Sequence, residues 1–142
     1  MKIEWLYHSC FLLTNARGGR LLTDPFGPSA DLRYPVPSAR CDVATISHAR
    51  GDHDYTANLP AGFARVDRAG RHSAAGFAIE GIESFHDERQ GALRGENLMF
   101  TIEADGLRVA HLGDLGHEPS VKQLSLLGKV DVLLLPVGGY FT

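Results

Sequence analysis

The sequence predicts a β-rich α/β (α+β) fold with few helices. Short apolar runs recur along the chain, clusters of turn residues separate them, and only one segment has the length and caps of a helix. Segments 3–7 and 10–14 read as the first two strands. Asn15-Ala16-Arg17-Gly18-Gly19 supplies the turn into a third at 20–24. Pro25, Pro28, Pro35 and Pro37 interrupt regular structure and mark a loop. The apolar run 42–46 resumes as a strand, followed by strands at 63–66, 77–82, 98–103 and 107–112. The last two form a hairpin about Asp105-Gly106. A helix is predicted over 120–127, opened by Pro119 or capped by Ser120 and closed by Gly128. The run VDVLLLPV, 130–137, reads as a further buried strand.

Composition narrows the function classes. With 142 residues and 44% hydrophobic content, the chain suits one domain, 1–142, with a real core. Net charge is −3 and the 14 Lys and Arg are scattered, so there is no basic patch to grip a nucleic-acid backbone. MKIEWLYHSC has no uninterrupted apolar core and no small-residue cleavage site, and no window approaches the roughly 18 apolar residues of a membrane span. A cytoplasmic protein with a small-molecule substrate, and no nucleic-acid or membrane partner, is the expectation. Cys10 and Cys41 read as reduced, buried thiols.

Three polar clusters follow strand ends: SHARGDHDY after Ile46, His86-Asp87-Glu88 after Phe85, and the segment from His111 to His117 after Val109. Strands that deliver such groups to one end of a sheet can gather sequence-distant residues into a pocket. A zinc-like ion takes imidazole nitrogen and carboxylate oxygen at about 2.0–2.2 Å. His48, Asp52 and His53 can share one concavity if the loop is tight, with Gly51 supplying freedom to turn. With His86 and Asp114 they form a mixed set for one or two divalent ions. Asp114 can equally cap its own Gly113-Asp114-Leu115-Gly116 turn. His8, His72 and His117 read as ordinary histidines and His111 as structural. Tyr55 and Asn58 read as solvated loop residues, with substrate contact as the alternative.

The stretches WLYHSCFLL, LLTDPF, SHARGDHDY, SFHDE, GENLMFTIEADGLRVAHLGDLGH and DVLLLPVGG, in that order, resemble the N-terminal two thirds of metallo-β-lactamase-fold hydrolases. The resemblance is to the small zinc-dependent group related to ascorbate-6-phosphate lactonase. It implies an αββα sandwich of which this chain carries mainly the N-terminal β-rich half. The family motif His-x-His-x-Asp-His holds two adjacent metals. Matched to it, His48 is the first His, Asp52 the Asp and His53 the final His, while His86 resembles the next ligand and Asp114 the bridging carboxylate. Zinc is the implied ion, one or two per chain, with manganese as an alternative.

Two departures stand out. Arg50 occupies the place of the middle histidine, and a guanidinium has no lone pair for a metal. Beside a dication it would be repelled by roughly 4 kcal/mol per unit charge pair at about 4 Å. The first metal position is therefore expected to be weak unless Arg50 swings away. The family's last histidine ligand lies beyond the final strand, which makes the chain read as a fragment, a truncated product or part of a homo-oligomer. The resemblance implies a metal-dependent hydrolase cleaving an ester, lactone or phosphoester through a metal-bound hydroxide oriented by Asp52, with Arg50 free to hold a substrate anion. A non-catalytic binding or interaction module is the alternative, because of Arg50 and the absent ligand. A nuclease of the same fold is not encouraged by the charge.

Overall fold

The computed structural model describes residues 1–29 and 32–138. In chain order the elements are β1 (Lys2–Trp5), β2 (Phe11–Thr14), β3 (Arg20–Thr23), β4 (Val43–Thr45), β5 (Ala64–Val66), β6 (Gly70–Ala74), β7 (Phe77–Phe85), β8 (Glu96–Ala104), β9 (Leu107–His111), α1 (Val121–Leu127) and β10 (Val132–Leu134). They form two five-stranded mixed sheets, ordered β1-β2-β3-β4-β5 and β10-β9-β8-β7-β6. β4 runs parallel to both β3 and β5, and all three of its residues are buried. That two-sided burial is why its sequence is a continuous apolar run rather than an alternation.

Period-two alternation places the core. Leu13, Leu21, Val43 and Val66 of the first sheet meet Phe77, Ile79, Phe100, Ile102 and Val109 of the second in one buried cluster between the sheets. Their neighbours turn outward. Leu12, Leu22 and Ala44 pack with Cys10, Phe26, Cys41 and Leu59 under the loops on the outer face of the first sheet. Ile82, Met99 and Ala110 pack against Leu112 and Leu127 of α1 on the outer face of the second. Each fully buried Leu, Ile or Phe contributes about 1.5–3 kcal/mol, so the three clusters together anchor the strand ends from which the polar loops leave. Both cysteines are buried and unbridged.

The helix starts as expected from its cap. Ser120 accepts from the Gln123 amide while the Gln123 side chain accepts from the Ser120 amide, a reciprocal capping box, and Gly128 closes the helix at φ +63°. Two sequence expectations need correction. β6 was not expected, because its GRHSA sequence is polar and largely exposed; it pairs with β7 across the Ala75-Gly76 turn. The run 130–137 was expected to be buried, yet only Val132–Leu134 is strand, and Leu135 and Val137 are 51% and 89% exposed. Among the described residues β10 is the outer strand of its sheet and pairs with β9. Gly139, at the end of DVLLLPVGG, lies outside the described residues.

Candidate metal centre

The loop after β4 is wound on one carbonyl. The amides of His53 and Asp54 both donate to Arg50 O, at 2.7 and 2.8 Å, and Arg50 N donates to His48 O. This tight turn brings His48, Asp52 and His53 to one side. Gly51 does not supply the freedom expected of it. It is absent from the positive-φ residues, and a Cβ there would meet nothing within 4 Å.

His86 leaves the end of β7 with its amide on Gly95 O. The loop that follows is held by Asp87, whose carboxylate accepts from the amides of Arg89, Gly91, Leu93 and Arg94. Asp114 follows β9 and is fixed by Asn97, whose Oδ1 accepts the Asp114 amide at 3.0 Å. Gly113 is required here. It sits at φ +57°, and a Cβ would collide with Asn97 Oδ1 and Ser47 Cβ. The Asp114 side chain therefore faces the histidines.

The three strand ends converge. The His48 and His53 ring centroids are 4.2 Å apart, and those of His48 and His86 are 5.3 Å apart. Asp114 Oδ2 lies 3.0 Å from His86 Nε2, 3.3 Å from His53 Nε2 and 3.9 Å from His48 Nε2. Asp52 Oδ2 is 3.9 Å from His53 Nε2. A tetrahedral zinc with bonds of about 2.05 Å spaces its ligand atoms by about 3.3 Å, so these separations suit ions seated among the donors. Two donor sets result, His48/His86/Asp114 and His8/Asp52/His53, each with its ligand atoms within 4.8 Å of one another. His48 Nε2 and His86 Nδ1 are buried without a hydrogen-bond partner. A buried lone pair with no donor is costly, and for His48 Nε2 a cation is the fitting partner.

Arg50 is not in this cluster. Its side chain is exposed, and Nη2 donates to Arg94 O at 3.2 Å. The expected repulsion at the first metal position is thereby relieved. Arg50 is one of the residues lining a cleft of about 790 Å³ that also includes Trp5, Tyr34, Asp52, His86 and Asp114.

Two residues were missed by sequence reasoning. His8, read as ordinary, has its Nε2 3.1 Å from His53 Nε2. Asp24 is fully buried and accepts from Ser47 N at 2.7 Å and Ser47 Oγ at 2.6 Å, while its Oδ2 lies 2.8 Å from His53 Nδ1. A carboxylate behind a ligand histidine fixes its tautomer and orientation. Both residues sit in quoted stretches, WLYHSCFLL and LLTDPF, but the signal carried no spacing that linked them to SHARGDHDY.

The remaining candidates are placed elsewhere. His72 Nε2 contacts Arg68 O, and His117 Nε2 accepts the Phe85 amide. His111, as expected, is structural, with Nε2 on Ser9 O at 3.0 Å. Tyr55 packs over Gly27, whose Cβ would meet the Tyr55 ring, and Asn58 is exposed.

Electrostatics follow from this packing. Burial pulls the His53 pKa down, but the hydrogen bonds to Asp114 and Asp24 prevail and raise it to about 10. Burial and the charge of His53 push His48 down to about 4. Burial would raise Asp114, yet His53, His48 and His86 hold it well below the usual carboxylate range. Without metal, His53 is thus an imidazolium between two carboxylates. Its contribution to stability is full below about pH 6.5, the unfolded value, and is lost as pH rises through about 10. Loading a divalent ion at pH 7.5 must remove the His53 Nε2 proton while Nδ1–H stays on Asp24. Calorimetry in buffers of different ionisation enthalpy should therefore report release of at least one proton per chain, the His53 proton plus any lost by metal-bound water; no release would mean that His53 is neutral before loading.

Comparison with known proteins finds similar chains. A UPF0173 metal-dependent hydrolase of Methanospirillum hungatei is 30% identical over 165 residues, with all of this chain covering 72% of the relative. One from Methanoregula boonei is 32% identical over 165 residues, at the same coverage. The crystal structure described as a Zn-dependent hydrolase of the metallo-β-lactamase superfamily from Thermotoga maritima has a TM-score of 0.79 at 38% identity, covering 99% of this chain. This chain spans 63% of that structure's length. Matched over residues 2–142 by the model of the Beta-lactamase superfamily domain, the chain belongs to that family, and its two mixed sheets are the N-terminal β-rich half of the metallo-β-lactamase fold.

Proposed function

We propose that the chain is a metal-dependent hydrolase of small molecules, acting on an ester, lactone or phosphoester bond, with zinc as its ion and manganese as the alternative. The observation that carries this reading is the convergence of His48, His53 and His86 on Asp114 Oδ2, with His48 Nε2 buried and unpartnered. When bound, a divalent ion supplies Lewis acidity and lowers the pKa of water in its open position to about 7. His48, His86 and Asp114 would hold the first ion, and Asp52, His53 and Asp114 would contribute to the second. Asp24 keeps His53 oriented through Nδ1. Asp52, the most exposed carboxylate of the set, would orient a water in the open position.

A cleft of about 790 Å³ suits a small substrate. Arg50, which lines this cleft, would hold an anionic group of the substrate through its guanidinium. Zinc-loaded protein is expected to hydrolyse at least one member of a panel of chromogenic esters, lactones and phosphodiesters, with activity lost on chelation and restored by zinc. Arg50→Ala should raise KM for an anionic substrate by about 10-fold or more with a smaller change in kcat. Tight metal binding without turnover across the panel would favour the non-catalytic binding module instead.

A further inference from the structure

We infer that His8 is a metal ligand, completing with Asp52 and His53 a second ion position beside the one formed by His48, His86 and Asp114. The inference rests on the metal-dependent reading above and adds a residue from a different part of the chain, the turn between β1 and β2.

Geometry is the first support. His8 Nε2 and His53 Nε2 face each other at 3.1 Å, close to the roughly 3.3 Å edge of a tetrahedral zinc site. The donor atoms of His8, Asp52 and His53 all lie within 4.8 Å of one another. Facing ring nitrogens leave space for a single proton between them, and a cation that accepts both lone pairs satisfies both rings.

The turn that presents His8 is the second support. Tyr7 and His8 both have positive φ, 71° and 50°, where non-glycine residues are uncommon. Such conformations persist only where the surroundings fix them, and here several contacts do. Trp5 Nε1 donates to His8 O at 2.9 Å. The next carbonyl, Ser9 O, accepts from Thr23 Oγ1 at 2.9 Å and from His111 Nε2 at 3.0 Å. The His8 ring stands edge-on to Phe26, at a centroid distance of 5.8 Å and 89°. These contacts hold the His8 imidazole in one direction, toward His53.

The strand ends thus yield two three-donor sets, with Asp114 Oδ2 near the imidazoles of both. Each set leaves room for water or substrate, the arrangement expected of a reactive rather than a purely structural ion.

The test is titration of the metal-free full chain with cobalt chloride, followed by visible absorption and by elemental analysis after dialysis. Wild type is expected to take up two ions. His8→Gly, which adopts the same φ without strain, should retain one ion and bind the second at least about 10-fold more weakly. Added free imidazole should restore the lost absorption. His8→Asn, which tolerates the turn, serves as a second variant, with circular dichroism confirming that both variants fold. Two ions held with unchanged affinity in both variants would overturn the assignment. So would loss of both ions from a folded variant, or a wild type that takes up one ion and is unaffected by either change. A wild type that takes up none sinks the metal reading itself, a result distinct from failure of His8 alone.

Discussion

Replacing Asp114 by alanine is expected to lower divalent-ion affinity by at least about 100-fold and to abolish metal-dependent hydrolysis, while leaving the metal-free protein folded. Its Oδ2 lies 3.9, 3.3 and 3.0 Å from the Nε2 atoms of His48, His53 and His86. Losing a hydrogen-bonded group behind a metal ligand already costs 10–100-fold in affinity, and removing a shared ligand costs more. The fold tolerates the change because Asp114 is held through its backbone amide on Asn97, which alanine retains. One further consequence is measurable by NMR. His53 loses one of the two carboxylates that raise its pKa, so its titration should move down from about 10. Zinc titration by calorimetry reads the first effect directly, and undiminished affinity would place the ion elsewhere.

Asp24→Ala has the opposite signature, a large loss of stability before any metal is added. The carboxylate is wholly buried, and it accepts from the Ser47 backbone and hydroxyl as well as facing His53 Nδ1. Removing one partner of a buried ion pair is expected to cost about 3–5 kcal/mol. Part of that is returned because His53 then reverts toward its neutral form. Asp24 also stands at φ +35°, a region less favourable to alanine than to aspartate or asparagine. Asp24→Asn should therefore be less damaging to the turn while still removing the charge. Thermal denaturation of the metal-free variants should show a fall of about 10 °C or more for Asp24→Ala; a melting temperature within about 2 °C of wild type would contradict the account.

Much of this architecture is legible in the sequence for identifiable reasons. The strands about the core announce themselves because short apolar runs are bounded by turn residues, as at 10–24 and 98–112. The helix is marked by Ser120 and Gly128 at its two ends. The convergence of His48, His53, His86 and Asp114 follows from polar clusters placed directly after buried strands. What escaped is what depends on side-chain direction across sequence-distant turns. His8 looks like any hairpin residue until the Tyr7-His8 backbone is seen in the left-handed region. Asp24 reads as the end of a strand, and only the packing of β3 against β4 brings it under His53. For Arg50 the residue type shows that it offers a metal no lone pair, but its direction depends on the Arg94 carbonyl, in a loop that Asp87 holds through backbone hydrogen bonds. The exposed flank of β10 likewise could not be read from VDVLLLPV, because burial depends on what lies beside a strand and not on its composition.

The most direct measurement is anomalous diffraction at the zinc edge from crystals of the zinc-loaded chain. The account predicts a peak within about 2.0–2.2 Å of donor atoms of His48, His86 and Asp114, with the Arg50 guanidinium outside the cluster. No peak among those three donors, or a guanidinium occupying the space between those imidazoles, would contradict it.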